Sequence, residues 1–508
     1  MKKFTSLCKH TIDILGAIIS LIILIVCLFF NHIDYAYKKV FLLPNIILLT
    51  IGLAFIYLGY SFLKKFTLPN PHIVNRFVFF FTIAFFFFLC FLSSQYYFIT
   101  GWDVKYVLNN SELMAEGRSN ELEHWYFSRY PNNILLAFFF SLIIRICTLL
   151  HINNYYLVLI FAQCMIFSYI SWILYRSVLL ILNNYCYALT AYTLYLAFIG
   201  LSPWVVIPYS DSIGLFFVLT IFYLYLKFIN TDKLSTVFLI TLLTYLGFKI
   251  KPQTAIITIA IFILSLCRFL DNRHTDKWKS LAKSFISATL GLFLAFLLVQ
   301  AATLFSGLKI EKEDAFSFTH YIMMGLNQES NGEYYQPDVD FSVSFPTRSE
   351  RIKANLSVAQ QRISHFSSLK SFFRFIAQKL LAVYNDGSFA WNGEGYFFLT
   401  CFGGGYLHKI MTHIYYPDGK LYSVYLSSVQ SLWLAVLFLS AFVKSKDTID
   451  IRSFSVITLK MSLTGLFLFE LLFEARARYL FTYSPIFIIM ACLGLYSLNR
   501  KYYARKSS

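Results

Sequence analysis

Apolar runs of about bilayer length recur along almost the whole chain, and they restrict its fold more than any other feature. A hydrocarbon core about 30 Å thick takes about 20 residues of helix. Runs near that length fall at about 11–30, 41–63, 77–99, 134–150, 155–175, 178–200, 212–229, 235–248, 252–270, 282–306, 428–443, 453–473 and 478–498. Of the 508 residues, 58% are hydrophobic and 14% charged, against about 45–50% and about 25% in a soluble domain. The sequence therefore predicts an all-α, polytopic integral membrane protein. The opening MKKFTSLCKH and its apolar run resemble a signal peptide in part. No small-residue cleavage site follows at Phe29-Phe30-Asn31-His32, so the run is read as an uncleaved first helix.

Basic flanks set the orientation, because cytoplasmic loops collect Lys and Arg. Lys2, Lys3, Lys9, then Lys64, Lys65 and Arg76, then Lys227 and Lys233, then Arg268, Arg273, Lys277 and Lys279, then Lys444, Lys446 and Arg452, and last Arg500, Lys501, Arg505 and Lys506 mark one side. They agree only if one run between 134 and 200 does not cross. The run 134–150 is short and carries Arg145, so it is read as an interfacial or half-inserted helix. About twelve transmembrane helices remain, with both ends cytoplasmic and outer-face loops carrying interfacial helices. The expected organisation is an N-terminal transmembrane module over 1–306 with a catalytic outer loop at 100–133, a large extracytoplasmic loop over 307–427, and C-terminal helices over 428–508.

The net charge of +17 belongs to those short loops and not to a basic stripe on a soluble fold, which argues against nucleic acid. Cys27, Cys90, Cys164, Cys267 and Cys492 lie inside apolar runs without paired spacing, so no disulfide framework or zinc site is expected. Phe- and Lys-rich usage with that cysteine pattern points to a bacterial plasma membrane.

Four polar stretches converge on the outer face. The island 101–133 carries Asp103 beside the interfacial Trp102. A half-desolvated carboxylate there suits a general base. Glu112, Glu116, Glu121 and Glu123 mark an amphipathic helix on the membrane surface. Arg129 and Tyr130 precede Pro131-Asn132-Asn133; Arg129 suits a phosphate or Asp103, and the asparagines suit helix capping. In the turn 202–211, Asp211 is either an N-cap or a second acidic group facing the same cavity. Lys249 and Lys251 lie on the outer side against the positive-inside trend, which suits either an anion to be met, such as a lipid phosphate, or ordinary snorkelling. The stretch EARARY at 474–479 sets Glu474, Arg476, Arg478 and Tyr479 in a tight turn near lipid, where charge is expensive and usually functional or paired. The loop 307–427 is rich in Asn, Gly, Asp and Tyr or Trp, a composition that suits sugar binding by stacking and amide hydrogen bonds as well as simple loop structure. Glycines 403–405 form no phosphate cradle, and no HExxH, GxSxG or Walker motif occurs.

Asp103 early in an outer loop, Tyr130-Pro131 opening the next apolar run, the turn Pro208-Tyr209-Ser210-Asp211, and the late Glu474-Ala-Arg476-Ala-Arg478-Tyr479 together resemble the GT-C membrane glycosyltransferases. Within them they resemble bacterial relatives of the polyprenyl- and dolichyl-phosphate-sugar mannosyltransferases. The resemblance implies a GT-C-like fold and transfer of a sugar from a polyprenyl-phosphate-linked donor to an extracytoplasmic acceptor: a cell-envelope glycan, glycolipid or protein. It implies that Asp103 acts as general base on the acceptor hydroxyl or helps to organise the site, and that Arg476 and Arg478 hold the lipid phosphate. The residues themselves add Asp211 as a second acidic candidate, and Arg129, Tyr130, Asn132, Lys251, Glu474 and Tyr479 as candidate binders of substrate or lipid phosphate. Val104 stands where the family commonly has a second carboxylate, so the preferred reading is a single base without a bound metal, with Mg or Mn dependence left open. Two alternatives stand beside it. An envelope polysaccharide polymerase or ligase would rely on His320, Arg348 and His365 in the large loop. A lipid-linked-sugar transporter would place charges at mid-membrane.

Overall fold

A computed structural model of the chain describes residues 2–29, 32–35, 38–65, 70–271, 277–394, 397–445 and 450–506. Arg273 and Lys446, used above for orientation, lie outside them. The first half consists of α1 (Lys2–Leu28), the hairpin β1 (His32–Tyr35) and β2 (Lys38–Phe41), α2 (Asn45–Lys65), α3 (Pro71–Ser93), β3 (Phe98–Thr100), α4 (Asp103–Glu116), α5 (His124–Arg129), α6 (Ile134–Leu149), α7 (Tyr155–Leu182), α8 (Tyr185–Tyr195, prolonged by a wider turn to Gly200), α9 (Ser210–Thr231), α10 (Leu234–Ile250), α11 (Ile256–Asp271) and α12 (Lys277–Phe305). The large loop folds as α13 (Phe318–Gly325), α14 (Gln336–Val343), α15 (Arg348–Ser364), α16 (Leu369–Tyr384), α17 (Trp391–Glu394), β4 (Phe398–Cys401) and α18 (Gly405–Tyr415). Then come α19 (Tyr422–Ser440), α20 (Asp450–Leu472), the short α21 (Ala477–Phe481) and α22 (Ser484–Lys506).

Among the described residues, ten helices are long and apolar enough to cross a membrane, and three shorter apolar ones accompany them at Tyr185–Gly200, Leu234–Ile250 and Ser484–Arg500. One of the ten, Pro131–Leu149, does not need to cross. Helices α3 and α7 run antiparallel: Ser93 meets Cys164 near one end (Oγ to Sγ 3.6 Å), and the Tyr175 hydroxyl donates to Asn75 Oδ1 at the other (2.9 Å). The chain therefore leaves α3 and enters α7 on the same face, and everything between them makes no net crossing. Helix α6 lies instead alongside α4, with Arg145 Nη2 donating to the carbonyl of Met114 (2.7 Å). Removing α6 from the ten and adding the three shorter helices leaves twelve candidate crossings among the described residues. Cysteines introduced at Ser119 and Asn153, in a cysteine-free background, are expected to react with an impermeant maleimide from one side. One at Lys233 is expected to react only from the other; labelling of Asn153→Cys from the Lys233 side would make α6 a spanning helix.

The boundary between the runs 155–175 and 178–200 moves: α7 continues through Arg176 to Leu182. Its guanidinium lies over Trp172 (5.7 Å) and donates to Asn75 (3.4 Å), so its charge is accommodated inside the bundle. The break comes at two asparagines. Asn183 closes α7 in the left-handed conformation (φ 50°), and the Asn184 side chain accepts the Cys186 and Tyr187 amides as the cap of α8.

The two ends of the chain interleave in one apolar core: α1 packs on α20, α2 on α19 and α8 on α22. Without a hydrophobic drive between helices in lipid, close backbone approach does much of the holding. At Gly52 of α2 a Cβ would collide with the Ser431 carbonyl, and at Gly494 of α22 with the Leu439 carbonyl, both on α19. The large loop is tied to the bundle from below. Lys379 of α16 is fully buried and donates to the carbonyls of Gly325 (2.6 Å), Leu471 (2.9 Å) and Phe473 (2.7 Å). Burial lowers its amine to about 8 against the opposing pull of Glu470 and Glu474.

Candidate functional site

Two strands far apart in sequence build the floor of the site. Phe98–Thr100 pairs antiparallel with Phe398–Cys401, and Gly101 N donates to the Phe397 carbonyl (3.1 Å). This pairing brings the large loop against the residues that lead into α4. Asp103 is the first residue of α4, where the unpaired amides of a helix start favour a carboxylate. It is half-buried. The Tyr126 hydroxyl of α5 donates to its Oδ1 (3.0 Å) and the Tyr209 hydroxyl to its Oδ2 (3.3 Å). Asn133 Nδ2 in turn donates to the Tyr126 oxygen (2.7 Å). So Asn133 positions a tyrosine and makes no side-chain cap to α6.

Asp211 is not an N-cap either. Tyr209 holds that place, and Asp211 sits in the first turn of α9, 1% exposed, in an ion pair with buried Lys251. Its second oxygen has no partner among the described residues. Lys251 also stands over the Tyr479 ring (4.7 Å). Tyr479 donates from its hydroxyl to Glu474 Oε1 (3.1 Å), and its carbonyl accepts from Gln253 Nε2 (2.6 Å). Arg476 Nε lies 4.0 Å from Glu474 Oε1. Removing one partner of a buried pair leaves an uncompensated charge, which costs about 3–5 kcal/mol, whereas an apolar pair is often tolerated. Asp211→Ala is therefore expected to lower the unfolding midpoint sharply, and Asp211→Ala with Lys251→Met to recover most of the loss. Equal midpoints for the two variants would contradict this account of the pair.

Arg478, the second residue of α21, is 9% exposed. Its guanidinium lies over the Trp102 indole (4.3 Å) and near the Tyr479 ring (5.7 Å). Among the described residues it makes no hydrogen bond and no ion pair, and its Nε is a buried donor without an acceptor. Trp102 packs edge-on to Tyr209 (4.8 Å), so one aromatic pair joins Arg478 to the tyrosine that donates to Asp103.

Other expected site residues sit further out. The Arg129 guanidinium lies over Trp125 (5.2 Å) and Phe316 (5.6 Å), not on Asp103. Tyr130 packs between Tyr126 (5.3 Å) and Phe316 (5.5 Å), and Asn132 donates to Asn133 (3.3 Å). Lys249 turns to the Tyr245 ring (5.6 Å). In the large loop, His320 is buried against Phe316 and bonded to Ser342 (2.7 Å), with burial lowering its ring to about 4; His365 bonds its own helix at the Gln361 carbonyl. These two and Arg348 do not meet at Asp103. Among the described residues no group of three or more His, Cys, Asp or Glu stands together as a metal donor set.

The sequence reading missed Glu394. It is 5% exposed at the end of α17, and its Oε2 accepts from Trp102 Nε1 (2.9 Å) and from Thr100 Oγ1 (3.4 Å). Burial pushes its carboxyl up to about 7, against the hydrogen bond from Trp102 and the charges of Arg478 and Arg476. The turn before it is specified by Asp386, whose carboxylate accepts the Ser388 and Ala390 amides (2.8 and 2.7 Å) and so supports positive φ at Phe389 and Ala390 (55° and 66°).

The molecule is thus an α-helical polytopic membrane protein with a carboxylate, a tyrosine shell and a buried unpaired arginine gathered at one face. The chain belongs to the family described as conserved hypothetical integral membrane protein, whose model matches residues 36–497. A search of curated proteins finds no match.

Proposed function

We propose that this protein is a membrane glycosyltransferase that moves a sugar from a polyprenyl-phosphate-linked donor to an acceptor outside the cytoplasm. The observation that carries the reading is Arg478. A guanidinium has five N–H donors in a planar fork suited to phosphate. Burying one with no acceptor is costly unless a ligand completes it. This one is held by two rings, close to a carboxylate already oriented by two tyrosines.

In the proposed reaction the acceptor hydroxyl attacks the anomeric carbon. Its proton passes to Asp103, a C–O bond forms, and the anomeric C–O bond to phosphate breaks with its electron pair leaving on the lipid phosphate. Fixed donors aimed at charge that develops in the transition state are worth far more than the same donors in water. Arg478 supplies such donors, and the Asp211–Lys251 pair steadies Tyr479 beneath it. Basic residues at the opposite ends of the spanning helices support a cytoplasmic placement for that face, and hence an outer site.

The test is transfer in nanodiscs from radiolabelled polyprenyl-phosphate sugars to a membrane extract of the source cell. The reading expects lipid-free label in a new glycoconjugate. Label that changes sides of the bilayer without leaving the lipid would replace it with transport, and stepwise lengthening of a lipid-linked glycan with polymerisation.

A further inference from the structure

Glu394 and Arg478 carry opposite charges on the two sides of one indole. The carboxylate accepts the Trp102 ring N–H in the plane of the ring (2.9 Å), and the guanidinium lies over its face (4.3 Å). A direct ion pair would hold Arg478 equally well, but it would occupy the forked donors and cancel the charge. Acting through the indole, the carboxylate leaves those donors open. A hydrogen bond from an indole N–H to an anion also adds electron density to the ring, which deepens the attraction for a cation on its face.

We propose that Glu394 is a positioning residue for phosphate recognition, holding Arg478 through Trp102 so that the guanidinium is fixed in place with its donors free. This rests on the reading of Arg478 as the phosphate-binding cation. The arrangement depends on the fold at both ends. The β3–β4 pairing sets Trp102 against the large loop, and the Asp386 turn delivers Glu394 to the indole. Thr100 supplies a second, longer hydrogen bond to the same oxygen, so two groups on the strand leading to Asp103 converge on one carboxylate.

The experiment measures the affinity of polyprenyl monophosphate, without sugar, for the full-length protein in nanodiscs. Variants are Glu394→Ala, Glu394→Gln, Trp102→Phe, Glu394→Ala with Trp102→Phe, and Arg478→Ala. Glu394→Ala is expected to weaken binding by about 3- to 30-fold, the range of a desolvated cation–π contact. Glu394→Gln, which keeps an acceptor for the indole without the charge, should fall between it and wild type. Once Trp102 is phenylalanine, Glu394→Ala should add nothing, since the carboxylate has no ring N–H to act through.

In turnover the loss should raise KM for the donor and also lower kcat, because Arg478 is assigned to the charge that develops on the leaving phosphate. Acidification supplies a further readout, because Thr100, Trp102, Tyr156, Arg476 and Arg478 are the groups that face Glu394 or feel its charge. Between about pH 8 and 6 the lipid phosphate takes up its own second proton in every variant, so wild type should lose more affinity than Glu394→Gln over that range, the difference being the proton taken up by the carboxylate. Should Glu394→Ala fail to fold, Glu394→Gln and Trp102→Phe carry the comparison. Weak binding by Arg478→Ala with wild-type affinity in every Glu394 variant would overturn this inference alone. Equal affinity of wild type and Arg478→Ala, or none in either, would overturn the phosphate reading and this inference with it.

Discussion

Asp103→Asn is expected to lower sugar transfer by about 100- to 10,000-fold, the range for loss of a positioned general base, with donor binding unchanged. Asparagine is nearly the same size and still offers Oδ1 to the Tyr126 hydroxyl, so the shell built by Tyr126, Tyr209 and Asn133 can persist. What it removes is the capacity to take the acceptor's proton. Lipid phosphate is assigned to Arg478, across the Trp102–Tyr209 pair, and that contact is untouched. Single-turnover transfer and equilibrium binding of polyprenyl monophosphate in the same nanodiscs separate the two effects. Near-normal turnover would remove Asp103 from the chemistry, and loss of binding in step with turnover would make it a ligand instead.

Arg478→Ala should have the opposite signature. Each hydrogen bond to a charged group contributes about 1.5–3 kcal/mol, so a bidentate contact with phosphate predicts at least about 100-fold weaker donor binding. Arg478→Lys should restore only part of it, because a compact ammonium lacks the planar fork and stacks less well on an indole. The ligand-free protein should melt far closer to wild type than Asp211→Ala does. In this state the guanidinium loses its ring contacts and its attraction for the Asp211, Asp103 and Glu394 carboxylates, while its removal frees the fold of a buried donor without an acceptor. That separates Arg478 from Asp211, whose loss strands a buried lysine. Melting curves with and without polyprenyl monophosphate would show it: lipid should raise the midpoint of wild type and leave Arg478→Ala unmoved.

Much of the helix inventory is legible from hydropathy because a bilayer fixes the length of each span. The non-crossing run was found by counting charges, and the antiparallel α3–α7 pair gives its physical reason. The runs 155–175 and 178–200 part at Arg176, yet a neighbouring asparagine and a tryptophan let that charge lie within the bundle. At the site, Asp103, Lys251 and Arg478 stood out as charges that a membrane face tolerates poorly. Their partners did not. Tyr126 and Tyr209 are two of 36 tyrosines, so nothing local distinguishes them. Glu394 joins Trp102 across 292 positions, a pairing invisible to any window along the chain. Arg129 drew attention by its charge, but its neighbours on the fold are rings and not an anion.

The strand and ring contacts that join residue 102 to 394 and 478 bear on how the protein is made. Synthesis runs from the N-terminus, and the first helices enter the bilayer long before Arg478 has been translated. Until α21 and α22 arrive, the indole has no guanidinium upon it and the base stands in a half-built pocket. On the proposed function, a nascent chain stays inert toward lipid-linked sugar through most of its insertion. Products truncated before the last helix are then expected to show no transfer, with activity beginning only when the final segment closes the ring of contacts.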